Sequence, residues 1–287
     1  MNWKVVFFNP RAILISIFLM ILIAASAFAQ EQPLGGAYSC HNQTEVELIG
    51  YERIRGPVES LNVEVETLVS EGDVIFTNKG KPYLFANYRY DARGRLIEKN
   101  FYRLDGQPLP KSTFDYDEYG RLVRENYFSA VSNKAYLETS YVYKNGLLFE
   151  SVGRNIEQAS FLSKTVYTYD QPKRYFEFVE SYSYNSPPLR IGIKQDEKCR
   201  FVEVLGFDRD GKISVRTVFA FDQYDNPVSG TTYSTGANVL GKIKYEYEFD
   251  VSGNWIKRSR FRSELDDKDH WTLVEISYRK IRYSSPK

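Results

Sequence analysis

Apolar and polar positions alternate along much of this chain. In Leu84-Phe85-Ala86-Asn87-Tyr88-Arg89-Tyr90 one face reads Leu, Ala, Tyr, Tyr and the other Phe, Asn, Arg, and Lys244-Tyr245-Glu246-Tyr247-Glu248-Phe249 alternates without a break. A period of two with aromatic enrichment predicts β-strands. Between the runs stands one recurring phrase: aromatic, Asp, two spacers, Gly, a polar residue, an apolar residue. It occurs seven times. The purest copies are Tyr90-Asp91-Ala92-Arg93-Gly94-Arg95-Leu96 and Tyr116-Asp117-Glu118-Tyr119-Gly120-Arg121-Leu122; looser ones lie around Gly146, Asp170, Asp208 to Gly211, Asp222 to Asp225, and Asp250 to Gly253.

The phrase has a turn mechanism. The Asp carboxylate accepts a backbone N–H two residues on, and Gly supplies the positive φ of a short hairpin loop with a bulge. Asp91, Gly94, Asp117, Gly120, Gly146, Asp208, Gly211, Asp250 and Gly253 are assigned this structural role. Asp225 replaces Gly in one copy, and Asp tolerates the left-handed region better than most residues. The first four aromatics are spaced by 26, 27 and 26 residues, and Tyr169 to Phe221 is 52, so the frame survives a weak unit near Gln195. Further turns at Leu104-Asp105-Gly106 and Phe207 to Gly211 divide the unit into two strands. The fold class is therefore all-β: an antiparallel meander of roughly 14 to 18 strands in an elongated or curled sheet; local signals do not decide whether it stays open or closes, and an open meander would leave edges that can take a partner strand. Segment 156–200 has the least certain register, because Pro172 and Asp196 replace recognisable turn glycines.

These residues resemble the YD repeat of Rhs/YD-repeat proteins, whose core phrase is Tyr-Asp-x-x-Gly-Arg-Leu; positions 90–96 and 116–122 match it fully. Gly253-Asn254-Trp255-Ile256-Lys257-Arg258 and Gly56-Pro57-Val58-Glu59-Ser60 are similar to segments of small exported bacterial proteins with such repeats. The resemblance spans about residues 56–283 and implies a β meander in an extracytoplasmic, bacterial setting. In the large Rhs relatives the repeats wind into a closed shell around a toxin segment. This chain is far too short for such a shell, so toxin delivery does not carry over.

Residues 1–29 read as a secretory signal peptide: Lys4 and Arg11, an apolar stretch from Ala12 to Ala25, and Ala27-Phe28-Ala29 before the cleavage point. Residues 30–55 read as a mobile lead-in and 56–287 as a single repeat domain. Loss of Lys4 and Arg11 leaves 36 basic against 37 acidic residues, which gives no electrostatic support for nucleic-acid binding. Nothing after the leader is apolar enough to span a membrane as a helix. Export places the protein in the periplasm or at the cell surface, where a disulfide is permitted. Cys40 and Cys199 are the candidate pair; the alternative is two separate thiols.

Catalytic chemistry is hard to find. His41 and His270 are the only histidines and lack partners for a triad or a zinc site. The repeated Asp residues share one turn slot, which explains them without glycoside hydrolysis, and the acidic run 266–269 reads as solvated. No catalytic residue, metal or cofactor is expected. The aromatic content, 16%, is the one hint of binding. Ring ladders read first as core, with a glycan groove as the alternative; Trp255, Trp271, Tyr245 and Tyr247 are then the candidate ligand residues. The leading expectation is a non-enzymatic envelope or cell-surface scaffold or interaction module, whose partner is an envelope protein or polysaccharide. The alternative is a carbohydrate-binding protein. A glycan-active enzyme and an outer-membrane barrel rank below both.

Overall fold

The computed structural model describes residues 54–67, 81–184, 186–263 and 270–284. The expected leader, most of the lead-in, Cys40 with the bridge it would make, and His41 lie outside them. Sixteen strands follow one another: β1 (Val58–Thr67), β2 (Tyr83–Tyr90), β3 (Leu96–Phe101), β4 (Lys111–Tyr116), β5 (Leu122–Phe128), β6 (Ala135–Lys144), β7 (Leu147–Asn155), β8 (Ser160–Asp170), β9 (Tyr175–Tyr182), β10 (Leu189–Gln195), β11 (Phe201–Phe207), β12 (Ile213–Phe221), β13 (Pro227–Ser234), β14 (Val239–Phe249), β15 (Trp255–Ser263) and β16 (Trp271–Tyr283). Each pairs with its sequence neighbour, antiparallel, and β1 also pairs with β16. The meander is thus a closed barrel. The free edges that an open meander would leave are absent among the described residues, because the first and last strands satisfy each other along Val58 to Thr67.

Alternation sends one set of side chains inward. Lys99 faces Tyr88 on one side and Ser112 on the other, Phe114 faces Glu125, and Tyr141 faces Ser151; Ile191, Ile193, Val204 and Ile243 continue the inner wall. A round barrel of sixteen strands holds an aqueous channel. Here most of the inner wall is buried, with two apolar clusters. One centres on Leu96, Phe114, Leu122, Tyr141, Leu148 and Tyr167; the other on Phe176, Ile191, Ile193, Phe201, Phe219 and Ile243.

Many outward positions are charged and pair across strands, beside outward apolar residues such as Val142 and Ile256. Asp115 lies opposite Arg124, which also reaches Glu138; Glu150 pairs Lys164, Glu177 pairs Arg190, Glu203 pairs Arg216 and Glu248 pairs Lys257. Outward aromatics carry cations on their faces, as with Lys244 over Phe261 at 5.2 Å and Arg190 over Phe207 at 4.5 Å. The seven copies of the Asp phrase do not share one rim. Those at 91, 117, 145, 170, 222 and 250 join an even strand to the next odd one; the copy at 208 joins β11 to β12 at the other end.

Candidate functional site

At the first rim most turns are closed by an Asp; the turn between β6 and β7 instead places Asn145 and Gly146 at positive φ, 52° and 79°. Asp117 Oδ1 accepts the backbone N–H groups of Tyr119 (3.0 Å) and Arg121 (2.8 Å), and Oδ2 accepts the Arg121 Nε–H at 2.7 Å. Asp91 repeats this with Arg93 and Arg95. Burial raises both carboxyls, but the Arg backbone and guanidinium hydrogen bonds outweigh it and hold them below the ordinary carboxylate range. The positive-φ glycines then bulge the outgoing strand, so that Tyr116 faces Leu122 while Asp115 faces Arg124.

The weak unit near Gln195 is a full copy. Asp196 occupies the Asp slot rather than a glycine slot, and accepts from Lys198 N, Arg200 N and Arg200 Nε. Cys199 takes the glycine position with φ 63°. This corrects the expected register of 156–200. At Asp170, a short 3-10 turn (Gln171–Lys173) replaces the bulge and Arg174 takes the left-handed position.

Successive turns interlock. The Arg95 guanidinium lies 4.8 Å from the Tyr116 ring centre, Arg121 lies 4.9 Å from Tyr143, and Arg200 lies 5.0 Å from Phe221. The Tyr116 hydroxyl donates to Leu96 O at 2.8 Å, Tyr143 to Leu122 O at 3.0 Å, Tyr169 to Leu148 O at 2.8 Å and Tyr247 to Pro227 O at 2.8 Å. Arg200 also reaches across to Asp225 of the next turn at 3.1 Å. The aromatics that open the phrases at Tyr116, Tyr143, Tyr169 and Phe221 thus tie each phrase to the unit before it, and in the last phrase Tyr247, two residues before the opening Phe249, takes that part.

Two charged groups of side chains line the interior. Lys99 Nζ stands 3.6 Å from Glu125, to which Tyr141 donates at 3.3 Å; Glu125 is 0% exposed. Burial pushes the Lys99 ammonium down, against the pull of Glu125. On β14 to β16, Arg258 and Arg260 face Glu275 at 3.6 and 3.5 Å, and Arg279 lies 3.6 Å from the Trp255 ring centre. Burial raises the Glu275 carboxyl, but Arg260 and Arg258 bring it below its ordinary value. Burial pushes Arg279 well below its ordinary value.

Three of the four candidate ligand rings meet here. Tyr247 lies 6.2 Å from both Tyr245 and Trp255, and Arg258 sits over Tyr245 and Trp255 at 5.5 and 5.1 Å. They sit in the core, the first reading of the ring ladders, and not in the alternative groove: Trp255 is 2% exposed, Tyr245 is buried, and the Tyr247 hydroxyl is tied to Pro227. The alternation that sets rings on one face also turns that face inward. Trp271 is half-buried at the opposite end of β15–β16, paired with Ser263, and His270 is exposed beside it. Sequence reasoning missed the Lys99–Glu125 pair and the inward arginines. Their signal was present as Arg258, Arg260 and Arg262 at a period of two, in phase with Tyr245 and Tyr247 across the ladder. Among the described residues, no group of three or more His, Cys, Asp or Glu is placed to hold a metal.

No protein-family model matches the chain, and no curated protein does. Solved structures do. A porin-like protein from Bacteroides uniformis is matched over 80% of this chain and 99% of that one, at 10% identity and TM-score 0.36. A porin-like protein from Bacteroides vulgatus is matched over 79% and 98%, at 11% identity and TM-score 0.38. In the TcdB2–TccC3 structure the match covers 68% of this chain, only 12% of that one, at 14% identity and TM-score 0.29.

Proposed function

We propose that the chain is an exported, non-enzymatic β-barrel of the bacterial envelope or cell surface, standing in water as a scaffold or interaction module, and akin to small exported YD-repeat proteins. The observation that carries this reading is the outer wall. Charged cross-strand pairs lie around the circumference, from Glu64–Lys280 on the β1–β16 seam through Asp115–Arg124, Glu150–Lys164 and Glu177–Arg190 to Glu248–Lys257. A lipid-facing barrel presents an apolar band there, and each Arg or Lys at the bilayer midplane costs roughly 2–4 kcal/mol. The inner wall argues in the same direction, since its apolar clusters and its charged pairs alike are buried. Carboxylates committed to turn bonds support a non-catalytic role.

Expression of the full chain with its own leader in a Gram-negative host tests this. Recovery of a processed, folded protein from the aqueous envelope or medium fraction without detergent is the expected result. Recovery only from outer membranes, in detergent, would overturn it.

A further inference from the structure

The barrel has eight hairpin positions at its first rim, but only seven carry a covalent turn: at the eighth, β16 meets β1. The geometry there is that of a repeat. Tyr283 pairs with Val58 as Tyr116 pairs with Leu122, and the same register shift follows, between Val58 and Ser60. Gly56 has φ +80°, equal to Gly120. Ser284 N donates to Pro57 O at 2.7 Å, as Asp117 N donates to Arg121 O at 2.9 Å. Tyr283 thus fills the aromatic slot, Ser284 the Asp slot, Gly56 the Gly slot, and Val58 the apolar slot.

The missing link is replaced by a side chain of the preceding turn. Asn254 Oδ1 accepts from Arg55 N at 2.6 Å, and Nδ2 donates to Arg55 O at 2.8 Å and to the Tyr283 hydroxyl at 2.7 Å. It therefore holds both chain segments at once. Arg55 also reaches the Asp222 turn one repeat further back, donating to Tyr224 O at 3.3 Å with its guanidinium 5.0 Å from the Tyr224 ring centre. Asn226 occupies the equivalent slot one repeat earlier and bonds its own Asp222 instead. Asp250, relieved of a side-chain partner in its own turn, accepts from the Tyr283 hydroxyl.

We propose that β16 and β1 form an eighth repeat split between two distant parts of the chain, and that Asn254 is the latch that closes it, making this seam the place where the barrel opens laterally. Every other ladder at this rim is retained by a short turn after its hydrogen bonds break. Among the described residues the seam is held without a connecting turn, by its ladder, the Glu64–Lys280 and Glu59–Arg282 ion pairs, the latch and the Arg55 contacts with Tyr224.

Amide hydrogen exchange on the full exported chain, resolved by segment, tests the latch. Asn254→Ala should speed exchange across β1–β16 by about tenfold, the loss of several buried hydrogen bonds, while β4–β5 stays within about twofold. Asn226→Ala should leave the seam within about twofold of wild type. Should Asn254→Ala fail to fold, Tyr283→Phe, which removes one hydroxyl, should show the same pattern at about threefold. Uniform acceleration of all ladders, or a seam unmoved by Asn254→Ala, would overturn the proposal.

Discussion

Removal of the Asp117 carboxylate gives the clearest measure of what a turn lock contributes. Asp117→Ala deletes the one oxygen that accepts two backbone N–H groups, and the partner of Arg121. Each backbone bond contributes roughly 0.5–1.5 kcal/mol. The Arg121 pair is about one-third exposed on the arginine side, so screening limits it to roughly 0.2–1 kcal/mol. The expected loss is about 2 kcal/mol, or about 4–8 °C in Tm for a domain of this size. Asp117→Asn keeps a side-chain acceptor for the two N–H groups and should lose less than half as much. The pH dependence has a definite sign. Because the folded carboxyl titrates below its unfolded value, its contribution is complete above the unfolded value, near pH 4, and is lost as pH falls through the folded one. Denaturant unfolding of wild type, Asp117→Ala and Asp117→Asn at pH 7 and through the acid range is the assay. Wild type and Asp117→Ala should converge in acid. An Asp117→Ala protein within 0.5 kcal/mol (about the resolution of such data) of wild type at pH 7 would refute the reasoning, as would a constant gap down to acid.

Three further outcomes are expected. Gly120→Ala should lose about 1–2 kcal/mol by denaturant unfolding, because φ is +80° and no atom stands within 4 Å of the added Cβ, leaving backbone strain alone; under reducing conditions Cys199→Gly, at φ 63°, should gain about 1 kcal/mol. Glu125→Gln should lose about 3–5 kcal/mol by leaving the Lys99 charge buried without its counter-ion, and Lys99→Met combined with Glu125→Leu should recover most of it, read as Tm. Tyr143→Phe and Tyr169→Phe should each lose about 1 kcal/mol in chemical unfolding, since each strips a carbonyl of its donor.

The fold class and the turn chemistry were legible because they are local. An Asp that bonds residues two and four ahead, with a glycine between, needs no tertiary context, and the 26-residue spacing extended the frame to Gln195, where the glycine is absent. Cys199 hid that unit because a residue with a Cβ in a left-handed slot leaves no compositional trace. Closure was not legible. Whether β1 reaches β16 depends on the twist accumulated over all sixteen strands, which no single window carries. The burial of Trp255 and Tyr245 follows from closure, as an aromatic face that could line a groove on an open sheet becomes the inside of a barrel. The Lys99–Glu125 pair was equally out of reach, since its members lie on β3 and β5 with β4 between them.

An even number of antiparallel strands has a consequence for how the barrel is carried. Val58 and Tyr283 stand side by side at the first rim, so whatever precedes Ile54 or follows Ser284 departs from that one rim. A tether or fused partner attached at either end would grip the molecule by the face that holds the Asp91, Asp117 and Asp250 turns. The opposite rim, with the turns at Asp105 and Asp208, would then point away from the point of attachment, giving the barrel a fixed polarity on any surface that holds it.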